Sequence, residues 1–270
     1  MVEVNETTGL TDIVFSEHPP DLPGQPHVFH PMVVESELAF SGVIFDVMAD
    51  TVNLGAAGVV FREFVKHPGA VAIVALDDQE RVAVIDQYRH PVRSILWEIP
   101  AGLLDVGGEP ALAAAQRELA EEADLVADTW HVLVDFLTSP GGSDEALRVY
   151  LARDLRPTTT AFHRFDEEAG MEVRWVPLDD LVATVLAGRV QNPSAVVGAL
   201  AAQAARAANW STLRPADAHW SHRPNSTPLP SHRPNCAPHS PKSASHPPSV
   251  SISPVMDPIT GEIDTLGEDG

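Results

Sequence analysis

Glu118, Glu121 and Glu122 stand within five consecutive positions of an alanine-rich run. Carboxylates crowded this way repel one another unless a cation or a basic partner neutralises them, and an all-oxygen set suits a hard divalent ion, Mg²⁺ or Mn²⁺. On a helix, Glu118 and Glu122 are i,i+4 neighbours on one face with Glu121 beside them, while Leu112, Ala115 and Leu119 point the other way. Such a helix has an apolar back to bury and an acidic front. Any one of these acids alone would read as part of a solvated helix face; the set, with what flanks it, does not.

The flanks must position the acids. Upstream lie Trp97-Glu98-Ile99-Pro100-Ala101-Gly102 and the Gly107-Gly108 turn, and Pro110 suits a first helical turn, where a missing N–H costs nothing. Gly102, Glu109 and Arg117-Glu118-Leu119-Ala120-Glu121-Glu122, running on to Leu125, resemble the Nudix hydrolase signature G-x5-E-x7-R-E-U-x-E-E-x-G-U, where U is aliphatic. Two departures stand out. Six residues rather than five separate Gly102 from Glu109, and Asp124 replaces the second glycine. The extra residue falls in the glycine turn, where loops absorb insertions, and Asp at a helix end can adopt the left-handed conformation that glycine otherwise supplies.

Further segments, Gln87-Tyr88-Arg89, 97–102 and Ser139-Pro140-Gly141-Gly142-Ser143-Asp144-Glu145, are similar to the ADP-ribose pyrophosphatase branch over roughly residues 28–210. That resemblance implies Mg²⁺-dependent cleavage of ADP-ribose into AMP and ribose 5-phosphate. It further implies Glu118, Glu121 and Glu122 as metal ligands with the Ala101 carbonyl, Glu145 as a loop acid acting on the attacking water, and Arg117 as the residue that orients the helix glutamates. The chemistry calls for such a set, because charge gathers on the bridging oxygen as a pyrophosphate breaks and held cations stabilise it.

Each role has a plainer alternative. Arg117 could form an exposed ion pair with Glu121, and Glu145 could be a surface residue before the alternating Leu147, Val149 and Leu151. Arg89 and Arg93 could bind substrate phosphates or ribose, or be surface charges around Pro91. Glu98 could recognise ribose hydroxyls or brace a subunit contact. Phe29 or Phe40 could stack adenine in a partner subunit, or be ordinary core aromatics. The twelve histidines form no HExxH or paired spacing, and the single cysteine, Cys236, allows neither a disulfide framework nor a cysteine zinc site within the chain. No G-x-S-x-G elbow accompanies Ser143.

A formal charge of −21 opposes binding to phosphate backbones, so nucleic acid is not expected as a general partner. No apolar run approaches the ~18 residues of a membrane span, and the acidic start lacks the basic and apolar regions of a signal peptide, which predicts a soluble, cytoplasmic protein. The chain divides into a loose arm (1–26), a β-rich subdomain (27–66), the Nudix-like domain (67–210) and a Pro/Ser/His-rich tail (211–270) that cannot bury enough apolar surface to order itself. The tail contains a five-residue echo, Ser-His-Arg-Pro-Asn at 221–225 and 231–235.

Strands are expected at 28–35, 42–49, 59–64, 71–76, 82–87, 130–138, 147–152 and 174–177, and helices at 178–187 and 194–208 besides the acidic one. The resemblance implies an α/β/α sandwich with a mixed sheet, preceded by a small antiparallel N-terminal sheet through which two subunits form a homodimer. Rival readings are a Nudix pyrophosphatase acting on a nucleotide sugar, NADH or a nucleoside triphosphate, a non-catalytic nucleotide sensor, and an interaction protein acting through its tail.

Overall fold

A computed structural model describes residues 31–159, 162 and 171–223, together with two short N-terminal strands, β1 (Val2–Val4) and β2 (Thr11–Ile13), which pair with each other. The chain divides into two units, Met1–Pro228 and Leu229–Gly270. Phe29, Cys236 and, of the echoed motif, all but Ser221, His222 and Arg223 lie outside the described residues.

Valine-rich and alternating segments build a three-stranded antiparallel sheet from β3 (Met32–Ser41), β4 (Asp46–Asn53) and β5 (Val59–Lys66), with β4 in the middle. β6 (Ala70–Ala75) and β7 (Arg81–Arg89) follow, joined by a turn in which the Asp77 carboxylate accepts from the N–H groups of Gln79 and Arg81. Those bonds, together with the salt bridge to the Arg81 guanidinium, outweigh burial and hold the Asp77 carboxyl below its ordinary range.

Although one turn joins them, β6 and β7 go to different sheets. β7 lies between β8 (Ser94–Glu98) and β12 (Val173–Pro177). β6 lies between β9 (Ala101–Leu103) and β11 (Ala146–Pro157), in a sheet completed by β10 (Leu125–Leu137) and β13 (Arg214–Pro215). The β6–β11 pair is parallel and the other pairs of that sheet are antiparallel, so the sheet is mixed.

Both faces of this sheet are covered, because every residue of β6 is buried. Ala72, Val74, Leu147, Val149 and Leu151 face one apolar layer, shared with α2 (Leu178–Leu186) and α3 (Pro193–Ala207). Val71, Ile73, Ala75, Tyr150 and Ala152 face the other, shared with α1 (Ala111–Ala123). Alternate residues along a strand point to opposite faces, so one strand feeds two cores. The result is the α/β/α arrangement with a separate N-terminal sheet that the sequence led us to expect. No helix among the described residues is long and apolar enough to cross a membrane.

Composition alone would end the domain at Trp210, yet the described chain beyond that point is docked. β13 pairs with His131 and Val132, and Trp220 is buried in the same apolar layer as α1. Arg148, itself buried, holds this strap. Its guanidinium donates to Asp135 at 2.7 and 3.0 Å, to the Ala218 carbonyl at 2.8 Å and to the His219 carbonyl at 3.1 Å, and lies 4.8 Å from the Trp220 ring centre. Burial opposes its charge and the Asp135 carboxylate overcomes that, so the Arg148 pKa lies above its ordinary value. A single tryptophan and a buried cation thus order a stretch whose overall composition argues for disorder.

Candidate active site

Helix α1 begins after Pro110, which serves as the residue before its first turn, and ends at Asp124 with φ 54° and ψ 35°. The aspartate therefore takes the left-handed conformation of the glycine it replaces, and its N–H caps the Leu119 carbonyl. Ala115 and Leu119 are fully buried against the sheet, with Leu112 packed beside them, and Glu118 and Glu122, each three positions from one of these, border that buried face where it meets β9 rather than lying opposite it. The signature's extra residue is taken up in the glycine turn, where Gly108 has φ 81° and the Glu109 N–H returns to the Val106 carbonyl at 3.1 Å.

Two of the helix carboxylates meet the backbone of β9. Glu122 is only 4% exposed, and its Oε2 accepts from the Ala101 N–H at 2.8 Å. Glu118 lies across Gly102 so closely that a Cβ built there would sit 2.0 Å from its Cδ and Oε1. Only glycine leaves that space. β9 is itself fixed by pairing with β6, Ala101 opposite Ala72 and Gly102 opposite Val71, so the acids rest on the edge of the main sheet.

Arg117 ties the remaining acids together. Its guanidinium donates to both oxygens of Glu109 at 3.2 and 3.1 Å, to Glu118 Oε1 at 2.6 Å and to Glu121 Oε2 at 3.1 Å. Hydrogen bonding to Glu109 and the charge of Glu118 raise its pKa well above the ordinary arginine value, so it is a permanent cation among three acids. Glu109 belongs to the sequence pattern but had no role assigned there; its position eight residues before Arg117 is the signal that pairs them.

Among the described residues, no three His, Cys, Asp or Glu side chains are gathered closely enough to hold a metal ion as they stand. Glu118 and Glu121 lean on Arg117, and Glu122 on a backbone N–H. The donor chemistry nevertheless fits a hard cation. It is all oxygen, it carries several negative charges on one helix face, and glycine clears room for one carboxylate beside the Ala101 backbone.

Residues 66–196 match the NUDIX domain. The chain is 46% identical to an ADP-ribose pyrophosphatase of Mycobacterium tuberculosis (strain ATCC 25618 / H37Rv) over 193 residues, 71% of this chain and 91% of that protein. The chain belongs to the Nudix family. It is also 38% identical to an ADP-ribose pyrophosphatase of Bacillus subtilis (strain 168), over 56% of this chain and 81% of that one. A methanol dehydrogenase activator of Bacillus methanolicus is 32% identical over 63% of this chain and 91% of its own length. A crystal structure of an ADP compounds hydrolase shares the fold, with a TM-score of 0.55 at 20% identity, covering 66% of this chain and 95% of that one.

Outside the Nudix helix, the structure joins two of the other expected site residues and places the rest of those described on different elements. Arg89 and Glu98 form a forked ion pair at 2.8 and 2.6 Å across β7 and β8, with Glu98 1% exposed. Pairing of Ile85 with Glu98 and Arg89 with Ser94 places the two side chains on adjacent strands, a contact their separation in sequence does not reveal. Arg93 stands exposed in the left-handed conformation at the tip of the β7–β8 turn. Phe40 is 58% exposed on β3. Glu145 immediately precedes β11; its Oε2 accepts from Thr138 Oγ1 at 2.6 Å and its Oε1 lies 3.6 Å from His67 Nδ1. β11 and β9 flank β6 with Leu147 and Leu103 both opposite Ala70, so Glu145 and Gly102 lie at the same end of the sheet. Two inter-strand spacings, ~10 Å, separate their strands.

Proposed function

We propose that this Nudix protein hydrolyses the pyrophosphate of ADP-ribose to AMP and ribose 5-phosphate. The observation that carries the reading is the Glu118 carboxylate lying in space that only glycine at 102 provides, with Glu122 on the neighbouring N–H. Identity of 46% with an ADP-ribose pyrophosphatase across 91% of its length supports the choice of substrate. Glu118, Glu121, Glu122 and the Ala101 carbonyl would hold Mg²⁺, or Mn²⁺ in its place, which supplies positive charge to the anhydride oxygens and lowers the pKa of bound water.

The protein's own groups do the rest. Arg117, clamped by Glu109, keeps Glu118 and Glu121 together against their mutual repulsion. Glu145 is the acid that takes a proton from the attacking water. Glu98 holds Arg89 in a fixed fork at the substrate end of β7, with Arg93 at the turn beyond it, and Phe29 contributes an aromatic face for the base. A panel of ADP-ribose, a nucleotide sugar, NADH and a nucleoside triphosphate, each incubated with Mg²⁺ and separated by chromatography, tests this. ADP-ribose should be consumed at least tenfold faster than the others, with AMP as product. A faster rate on any other member moves the substrate assignment there.

The N-terminal sheet is read as the subunit contact of a cytoplasmic homodimer. All ten residues of β3 are exposed, among them Met32, Val34, Leu38 and Phe40, and β5 adds Val59 and Phe61. Exposed apolar side chains of this extent call for a covering partner. Sedimentation equilibrium at micromolar concentration should give twice the 29.0 kDa chain mass, and a single-chain mass there would remove the dimer.

A further inference from the structure

We infer that Thr138 is a positioning residue for Glu145, so that the end of β10 sets the placement of a loop acid whose backbone is held against the junction leaving the N-terminal sheet. The inference rests on the hydrolytic reading of Glu145 given above.

The backbone of the 139–145 loop is stapled to that junction. Val65 donates its N–H to the Gly142 carbonyl at 2.9 Å, the Asp144 N–H returns to the Val65 carbonyl at 3.1 Å, and the His67 N–H donates to Asp144 Oδ1 at 2.7 Å. Within the loop, the N–H groups of Gly142 and Ser143 both donate to the Ser139 carbonyl at 2.9 Å, and the Glu145 N–H donates to Ser143 Oγ at 3.1 Å. With the backbone held from both sides, the chief freedom left to Glu145 is rotation of its side chain.

Thr138 removes that freedom. Its N–H donates to the Glu145 carbonyl at 3.2 Å and its hydroxyl to Oε2 at 2.6 Å, so one residue holds both ends of the glutamate. The hydroxyl bond lies at the short end of the O–H···O range. His67 forms the wall on the other side. Its Nδ1 accepts from the Gly69 N–H at 3.1 Å and so bears no hydrogen in this arrangement. The 3.6 Å between Nδ1 and Glu145 Oε1 is a contact beyond hydrogen-bond reach. Oε1 is therefore the oxygen that remains to accept a proton from water, while Oε2 is occupied by Thr138. Neither residue belongs to the family signature quoted above, and His67 is separated from Glu145 by the entire acidic helix.

Thr138→Val keeps the branched shape and loses the donor, and Thr138→Ser keeps the donor. With ADP-ribose and saturating Mg²⁺, Thr138→Val should lower kcat about tenfold, a fraction of the roughly 10²–10⁴-fold that a general base contributes. KM and the Mg²⁺ concentration for half-maximal rate should stay within about twofold. Thr138→Ser should restore kcat, and Thr138→Ala, a second donor-less variant, should behave as the valine does. Wild-type kcat in a folded Thr138→Val or Thr138→Ala protein overturns the inference, as does a loss that serine fails to rescue. Glu145→Gln, measured alongside, separates the two levels. Slow Glu145→Gln with normal Thr138 variants sinks only the positioning role, whereas wild-type kcat in Glu145→Gln removes Glu145 from the chemistry altogether.

Discussion

Glu122→Gln should lower kcat for ADP-ribose by about 10²–10³-fold, the range seen when one preorganised electrostatic contact to a transition state is deleted. The fold should survive. Glutamine has nearly the same shape, and its carbonyl oxygen can still accept from the Ala101 N–H that Glu122 engages at 2.8 Å. What disappears is one negative charge in a position only 4% exposed, where solvent screens it least. Glu118→Gln should act in the same direction, and both variants should need more Mg²⁺ for half-maximal rate. Steady-state kinetics across a Mg²⁺ titration, paired with thermal unfolding, distinguish lost ligation from lost structure. Full Mg²⁺-dependent activity in either folded variant would overturn the ligand assignment.

Gly102→Ala should cost about a hundredfold in kcat, the order of loss expected from misplacing a reacting group by around 1 Å. The physical case differs from the first. The backbone of Gly102 is not in the left-handed region, so alanine is conformationally acceptable there. Its methyl, however, would fall 2.0 Å from the Glu118 Cδ and Oε1 and 2.3 Å from Cγ. A flexible carboxylate end yields more readily than a paired strand, so Glu118 moves and β9 stays. Thermal stability should change little while turnover collapses. The outcome that would refute this is a Gly102→Ala enzyme with wild-type kcat, or one that loses activity only because it unfolds.

These two sites differ in how far they can be read without coordinates. The spacing of Glu118 and Glu122 is a property of helix geometry, and local sequence is enough to put both on one face, bordering the buried Leu119. Arg117 and Glu121 follow by the same i,i+4 rule, and their 3.1 Å contact is local in origin. Gly102 is legible as a residue of the signature, but its reason, the carboxylate lying against it, is not, because β9 and α1 meet only once both are packed on β6.

The same distinction accounts for the surprises. Leu125–Leu137 and Ala146–Pro157 extend well past the strands that alternation alone marks, because pairing along β10 and β11 recruits polar residues that have no strand signal of their own. β6 and β7 look like a hairpin in sequence, yet each finds its main partners elsewhere. Trp220 sits in a stretch rich in polar residues and proline, and it is ordered by Arg148, a residue 70 or more positions earlier.

The amino-acid sequence by itself determined the acidic helix, its amphipathic back, the strand-rich frame around it and the Nudix family, since each depends on periodicity or on side chains a few positions apart. Tertiary structure alone decided which groups those side chains meet: Glu118 with Gly102, Glu122 with the Ala101 N–H, Arg89 with Glu98, and Glu145 with Thr138 and His67. Such contacts join residues on different strands and helices. Their existence depends on register and layer packing, which are properties of the whole sheet and cannot be computed from any one window of the chain.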